Sequence, residues 1–220
     1  MFRNLVIVLF LGVVTVQADL YCYDDVKSEC ASNTYKPVCS TTFGNFPNVV
    51  NKFQQYANTH LARSMQSLMV ATHFSNYQMM RHGFHCLFSD FSDTLFDQFV
   101  SLMRYMNDRG LTHDFTKCSA HDETHGNFEL YELESLSYIT DVEKKLAQDA
   151  LDLDSLVGGS DARYHDADAS FHLATKYAYR HRTNVKTFAG YYVKLEKMLT
   201  SKNQMLAMYD FDGYLARIYC

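Results

Sequence analysis

Four stretches of this chain set apolar residues at alternating steps of three and four for close to thirty positions each, and nothing else in the sequence restricts the fold as tightly. That spacing keeps one face of an α-helix apolar. Phe53, Ala57, His60, Ser64, Ser67, Ala71 and Phe74 mark the seam of a first helix expected over about 47–76. Phe84, Phe88, Phe91, Leu95, Gln98, Leu102 and Tyr105 mark a second, running to about Arg109, where Gly110 supplies a stop. A third is expected over about 129–157 through Leu133, Leu136, Thr140, Glu143, Ala147 and Ala150, with Gly158 and Gly159 ending it. The fourth covers about 166–199 through Ala174, Ala178, His181, Val185, Phe188, Tyr192, Leu195 and Leu199. Helices of this length extend about 45 Å. One apolar seam on each points them at a common axis, so the expected fold class is all-α, a four-helix bundle. Short links predict antiparallel neighbours for the first pair and the last pair. The polar run GLTHDFTKCSAHDETHG between the second and third helices is long enough for a crossover. MLAMYDFDGYLARI predicts a short fifth helix at one end.

The chain begins MFRNLVIVLFLGVVTVQA: one positive charge at Arg3, an apolar run from Leu5 to Val14, and small residues at Val16 and Ala18. This pattern predicts a secretory signal peptide over 1–18, since the apolar run is too short to span a bilayer. A cysteine-containing extension then covers 19–45 and one helical domain 46–220. Secretion agrees with the six cysteines, which include no CxxC pair and are spread as in a disulfide-stapled protein. Cys22, Cys30, Cys39 and Cys118 are the disulfide candidates. Three of them fall near the mature N-terminus, so one pairs elsewhere: with Cys118, with Cys220 or with another chain. Cys86 reads either as a buried apolar residue or as a free thiol. A formal net charge of −5 without a basic stripe argues against nucleic acid as a partner.

Two polar patterns stand out against the apolar seams. His60, Gln98, Glu143 and His181 fall near the middle of the four seams, one per helix, with Ser67 one heptad on. Facing His and carboxylate side chains bind iron or manganese in helical bundles, and they also hydrogen-bond one another. A two-iron centre needs bridging carboxylates and an E-x-x-H pair on one helix, where the second helix offers Leu95 and Gln98. The second pattern is FSDFSDTLFDQF, which aligns Asp90, Asp93 and Asp97 on a face beside the apolar one, without Lys or Arg between them. A solvated helix face is the plain reading of such a row.

The segments NKFQQYANTHLARSMQSLMVATHFSNY, RHGFHCLFSDFSD, FELYELESLSYITDVEKKLAQDAL, KTFAGYYVKLEKM and LAMYDFDGYL, in that order and spacing, resemble the ferritins, most closely secreted insect-type light-chain subunits. The resemblance spans about residues 46–218. In ferritins that oxidise iron, the centre is built from Glu and Tyr on the first helix, Glu and His on the second, Glu on the third and Gln on the fourth. Those positions are occupied here by His60 and Ser67, Leu95 and Gln98, Glu143, and His181, so only Glu143 keeps the family's ligand. The resemblance therefore implies a subunit that is not an enzyme and has no catalytic residues of its own. It leaves Glu143, His60 and His181 as a residual metal site at most. The carboxylates that nucleate ferric mineral in light chains match Asp90, Asp93, Thr94 and Asp97. Iron is the implied cargo, and the implied partners are a heavy-type ferritin subunit and further copies of the chain in the family-typical shell of twenty-four. The acids of the family's threefold channels are replaced by Phe171 and Ala174, with Asp166 and Asp168 nearby. His121 and His125, with Asp122 and Glu123, mark a polar loop able to hold a surface metal. A divergent ferroxidase using His60, Glu143, His181 and Gln98, and a secreted four-helix binding protein without metal, remain as alternatives.

Overall fold

The computed structural model describes residues 41–112 and 131–220. The expected leader, Cys22, Cys30, Cys39, Cys118, and the loop residues His121, Asp122, Glu123 and His125 lie outside the described residues. Helix α1 is Phe46–Ser75, α2 His82–Asp108, α3 Glu132–Gly158, and α5 Gln204–Tyr219. Between α3 and α5 runs α4, composed of Ala167–Leu173, a π-helical turn Ala174–Ala178 and Tyr179–Leu199. The all-α expectation holds. Among the described residues, no helix is long and apolar enough to cross a membrane.

Contacts at the helix ends fix the topology. At one end Arg109, closing α2, pairs with Asp166 at the start of α4, and Asn45 and Asn48 at the start of α1 donate to carbonyls of Ala162 and Arg163. At the other end Phe74 closing α1 packs against Phe84 opening α2, and Arg81 pairs with Glu132 opening α3. Thus α1 and α2 are antiparallel, as are α3 and α4. Helices α2 and α3 begin at the same end, so the chain between them joins opposite ends of the bundle.

Every predicted seam position on α1 is buried, and so are those of α2 apart from half-buried Tyr105. Helix α2 ends in a Schellman motif: Gly110 N–H donates to the Asn107 carbonyl at 2.9 Å and Leu111 N–H to that of Met106 at 2.9 Å, with Gly110 at φ +73°. Asp166 caps α4, its carboxylate accepting from Ala169 N–H at 3.0 Å. On α4 the predicted seam is corrected. Ala174 is exposed and Ala178 half-buried, while Leu173, Tyr177 and His181 are buried. Two successive steps of four drift off one face of a regular α-helix, and the wider π turn absorbs that drift. Helix α5 packs on α2 at the α1–α2 loop end, where Phe84 N–H donates to Asp212 Oδ1 at 3.1 Å.

Candidate functional site

The four central seam residues are all buried: His60 on α1, Gln98 on α2, Glu143 on α3 and His181 on α4; the His181 ring is 5.5 Å from that of His60 and bonds Glu143. The fold divides them into a satisfied half and an unsatisfied half. In the first, Glu143 Oε2 accepts from His181 Nδ1 at 2.7 Å and Glu143 Oε1 from Asn184 Nδ2 at 2.9 Å. The far ring nitrogen of His181 lies 3.0 Å from the hydroxyl of Tyr56. Burial and the neighbouring Tyr177 and Glu143 push the Tyr56 phenol well above its usual range, so it stays a hydroxyl. Neither Tyr56 nor Asn184 sits on a predicted seam, so the periodicity does not mark them, although Tyr56 is four residues before His60 and so shares its side of α1.

In the second half, His60 Nδ1 lies 2.9 Å from the Tyr56 carbonyl, which only accepts, so the proton is on Nδ1 and Nε2 has a bare lone pair. Neither that nitrogen nor either amide atom of Gln98 has a partner. Burial, with His181 alongside, lowers the His60 pKa from 6.5 to about 3. The sign is then fixed. Between these values the unfolded chain binds a proton that the folded one refuses, so this contribution to stability is intact above about pH 6.5 and falls as pH drops towards 3. The slope is about 1.4 kcal/mol per pH unit. Thermal unfolding midpoints recorded from pH 7 to 4 are expected to fall less steeply in His60→Leu than in the parent chain; equal slopes would refute the assignment.

The donor set does not suit a two-iron centre. Leu95 has no ligand atom, Ser67 Oγ donates back to the Arg63 carbonyl at 2.8 Å, and both oxygens of Glu143 already accept hydrogen bonds.

Asp90, Asp93 and Asp97 are exposed on α2, along about 10 Å of helix at 1.5 Å per residue. They form a row rather than a cage, since they are not among the described groups of three ligand residues whose donor atoms lie within 4.8 Å of one another. Partial burial and the Asp93 charge raise the Asp90 pKa, and Arg180 of α4 opposes them. That cation is invisible in the α2 sequence. Thr94 is half-buried beside the row.

Asp166 and Asp168 are not free acids. Arg109 reaches Asp166 Oδ2 at 2.6 Å and Asp168 Oδ2 at 2.7 Å, and Asp166 is buried. Burial raises the Asp166 carboxyl, but hydrogen bonds from Arg109 and Ala169 outweigh it and hold the pKa below the usual range. Phe171 and Ala174 are exposed. Cys86 is neither a free thiol nor a plain apolar residue: it forms a disulfide with Cys220, 134 residues on. Cys86 lies on α2 and Cys220 directly follows α5, and linear spacing carries no signal of such a pairing.

No profile of a known protein family matches the chain. It is 31% identical over 207 residues to a protein named ferritin light chain from Trichoplusia ni, covering 89% of this chain and 90% of that one. It is 28% identical over 207 residues to the ferritin light chain of Drosophila melanogaster, with 90% of each covered. The crystal structure of Trichoplusia ni secreted ferritin superposes with a TM-score of 0.76 at 29% identity, covering 89% of this chain and 98% of that one.

Proposed function

The chain belongs to the ferritin family, and from that premise we propose that it is a secreted iron-storage subunit that nucleates ferric mineral on Asp90, Asp93 and Asp97 and relies on a partner for iron oxidation. The observation that carries this reading is the division of labour between two sites. The buried layer lacks bridging carboxylates and has closed Glu143 into hydrogen bonds, while three carboxylates stand exposed on α2.

Ferric ions are hard cations that take oxygen donors. A row of carboxylates concentrates several hydrated ions along one helix face, which lowers the barrier to a first oxide cluster. Partial burial, with the Asp93 charge beside it, raises the Asp90 carboxyl, so Asp90 joins the row as a ligand only once it is ionised. In this reading the chain assembles with a heavy-type subunit and copies of itself in a shell of twenty-four, with the row facing the cavity, and it takes ferric iron made by the partner.

The initial rate of Fe(II) oxidation by the purified chain alone, followed optically, is expected to equal that of an unrelated protein of similar charge. A clearly faster rate would overturn the proposal. It would favour a single-iron site using His60 Nε2, the Gln98 amide, Glu143 and His181, a reading for which the unpartnered His60 and Gln98 atoms speak. For nucleation, the triple variant Asp90→Ala, Asp93→Ala, Asp97→Ala supplied with preformed ferric ion is expected to lay down mineral several-fold more slowly with gel-filtration behaviour unchanged. Loss of assembly would instead make the row structural.

A further inference from the structure

Ligand chemistry gathers at one more place, where the first turns of α2 meet the end of α5. His82 and Cys86 are four residues apart, hence on one face of α2, and Cys220 follows α5; their ligand atoms all lie within 4.8 Å of one another. His82 and Cys220 are exposed and Cys86 is half-buried. We propose that these three residues are a redox-gated site for a thiophilic cation of the zinc class, closed as the Cys86–Cys220 disulfide and open as the dithiol.

Opening breaks the S–S bond. Two electrons and two protons come from a thiol reductant, which is itself oxidised to a disulfide, and leave two thiols. The incoming cation then displaces both thiol protons to solvent and is held by two thiolates and the His82 imidazole, with water in the fourth position. Zinc–sulfur bonds of about 2.3 Å and zinc–nitrogen bonds of about 2.0 Å put tetrahedral ligand atoms about 3.5–3.8 Å apart, within the present spread of the group. Helix α5 is seated without the disulfide, which keeps Cys220 in reach after reduction. Phe84 N–H bonds Asp212 Oδ1, Phe211 packs on Phe84, and the hydroxyls of Tyr219 and Tyr191 are 3.0 Å apart. Exposure of Cys220 opens the bond to a reductant. The S₂N donor set is chemically distinct from the all-oxygen row that begins one turn further on at Asp90, so soft and hard cations separate between them. The proposal stands independently of the role in iron storage.

The test uses the full-length protein reduced with a phosphine, freed of reductant under argon and titrated with Co²⁺. The expected result is a thiolate-to-cobalt charge-transfer band with the strong d–d bands of a tetrahedral complex, absent from unreduced protein. Because other cysteines are present, the site is located by alkylation read peptide by peptide. Zn²⁺ is expected to slow modification of both Cys86 and Cys220 by at least about tenfold. His82→Gln, an exposed change that leaves the disulfide intact, is expected to weaken Co²⁺ binding at this site by at least about tenfold. The proposal is overturned if Zn²⁺ protects neither cysteine, if His82→Gln binds as the parent does, or if reduction frees α5 and no thiolate-ligated cobalt forms.

Discussion

Replacing Arg109 by alanine is expected to destabilise the chain by about 3–5 kcal/mol, the range for removing one partner of a buried ion pair. The guanidinium lies against the faces of Phe43 and Phe46, 4.0 and 4.7 Å from the ring centroids. It donates to Asp166, Asp168, the Tyr105 hydroxyl and the Phe43 carbonyl. Alanine leaves Asp166 buried with a negative charge and only the N–H groups of its cap. It also deletes cation–π contacts at the junction of α1, α2 and α4. For a domain of this size the loss corresponds to a fall in Tm of about 10 °C. Arg109→Lys keeps the charge but not the planar fork, and it should recover less than half of the loss. Calorimetry at matched protein concentration checks both; a shift under about 2 °C for the alanine variant would show that the knot contributes little.

Gly83→Ala is expected to unseat α5. A Cβ there would fall 2.0 Å from the Asp212 carbonyl oxygen and 2.8 Å from the Ala216 nitrogen, both backbone atoms of α5 that cannot rotate away. The helices have to separate, and the disulfide one turn further on resists that separation. A cost of about 3 kcal/mol is expected, at the upper end for overpacking. Protease cleavage in residues 200–203, between α4 and α5, should accelerate by about tenfold or more. Unchanged cleavage would mean that the helix ends adjust locally.

What the sequence revealed and what it hid follow from the range of the interactions. The seams of α1 and α2 were legible because neighbours on one helix face are three or four residues apart. The α4 seam departs from a regular helical spacing at Ala174 and Ala178, because a π turn shifts the phase without any marker residue. The core layer was legible as four polar residues at seam positions, but not its wiring: Tyr56 and Asn184 complete the network from beside the seam. The Asp row was visible as a row, whereas Arg180 reaches it from α4. Asp166 reads as a free acid in its own segment, and the Arg109 that pairs with it lies 57 positions earlier. Long-range partners of this kind leave no periodic trace.

The 134-residue separation of Cys86 from Cys220 bears on biosynthesis. At about 5–20 residues per second, Cys86 emerges from the ribosome roughly 7–27 s before its partner. Cys22, Cys30 and Cys39 are already out by then. In an oxidising compartment each of these thiols is within the chain's reach before Cys220 is, so Cys86 is open to mispairing until α2 has folded around it. A bond mispaired in that interval reaches the Cys86–Cys220 pairing only by thiol–disulfide exchange, the slow step that an isomerase speeds.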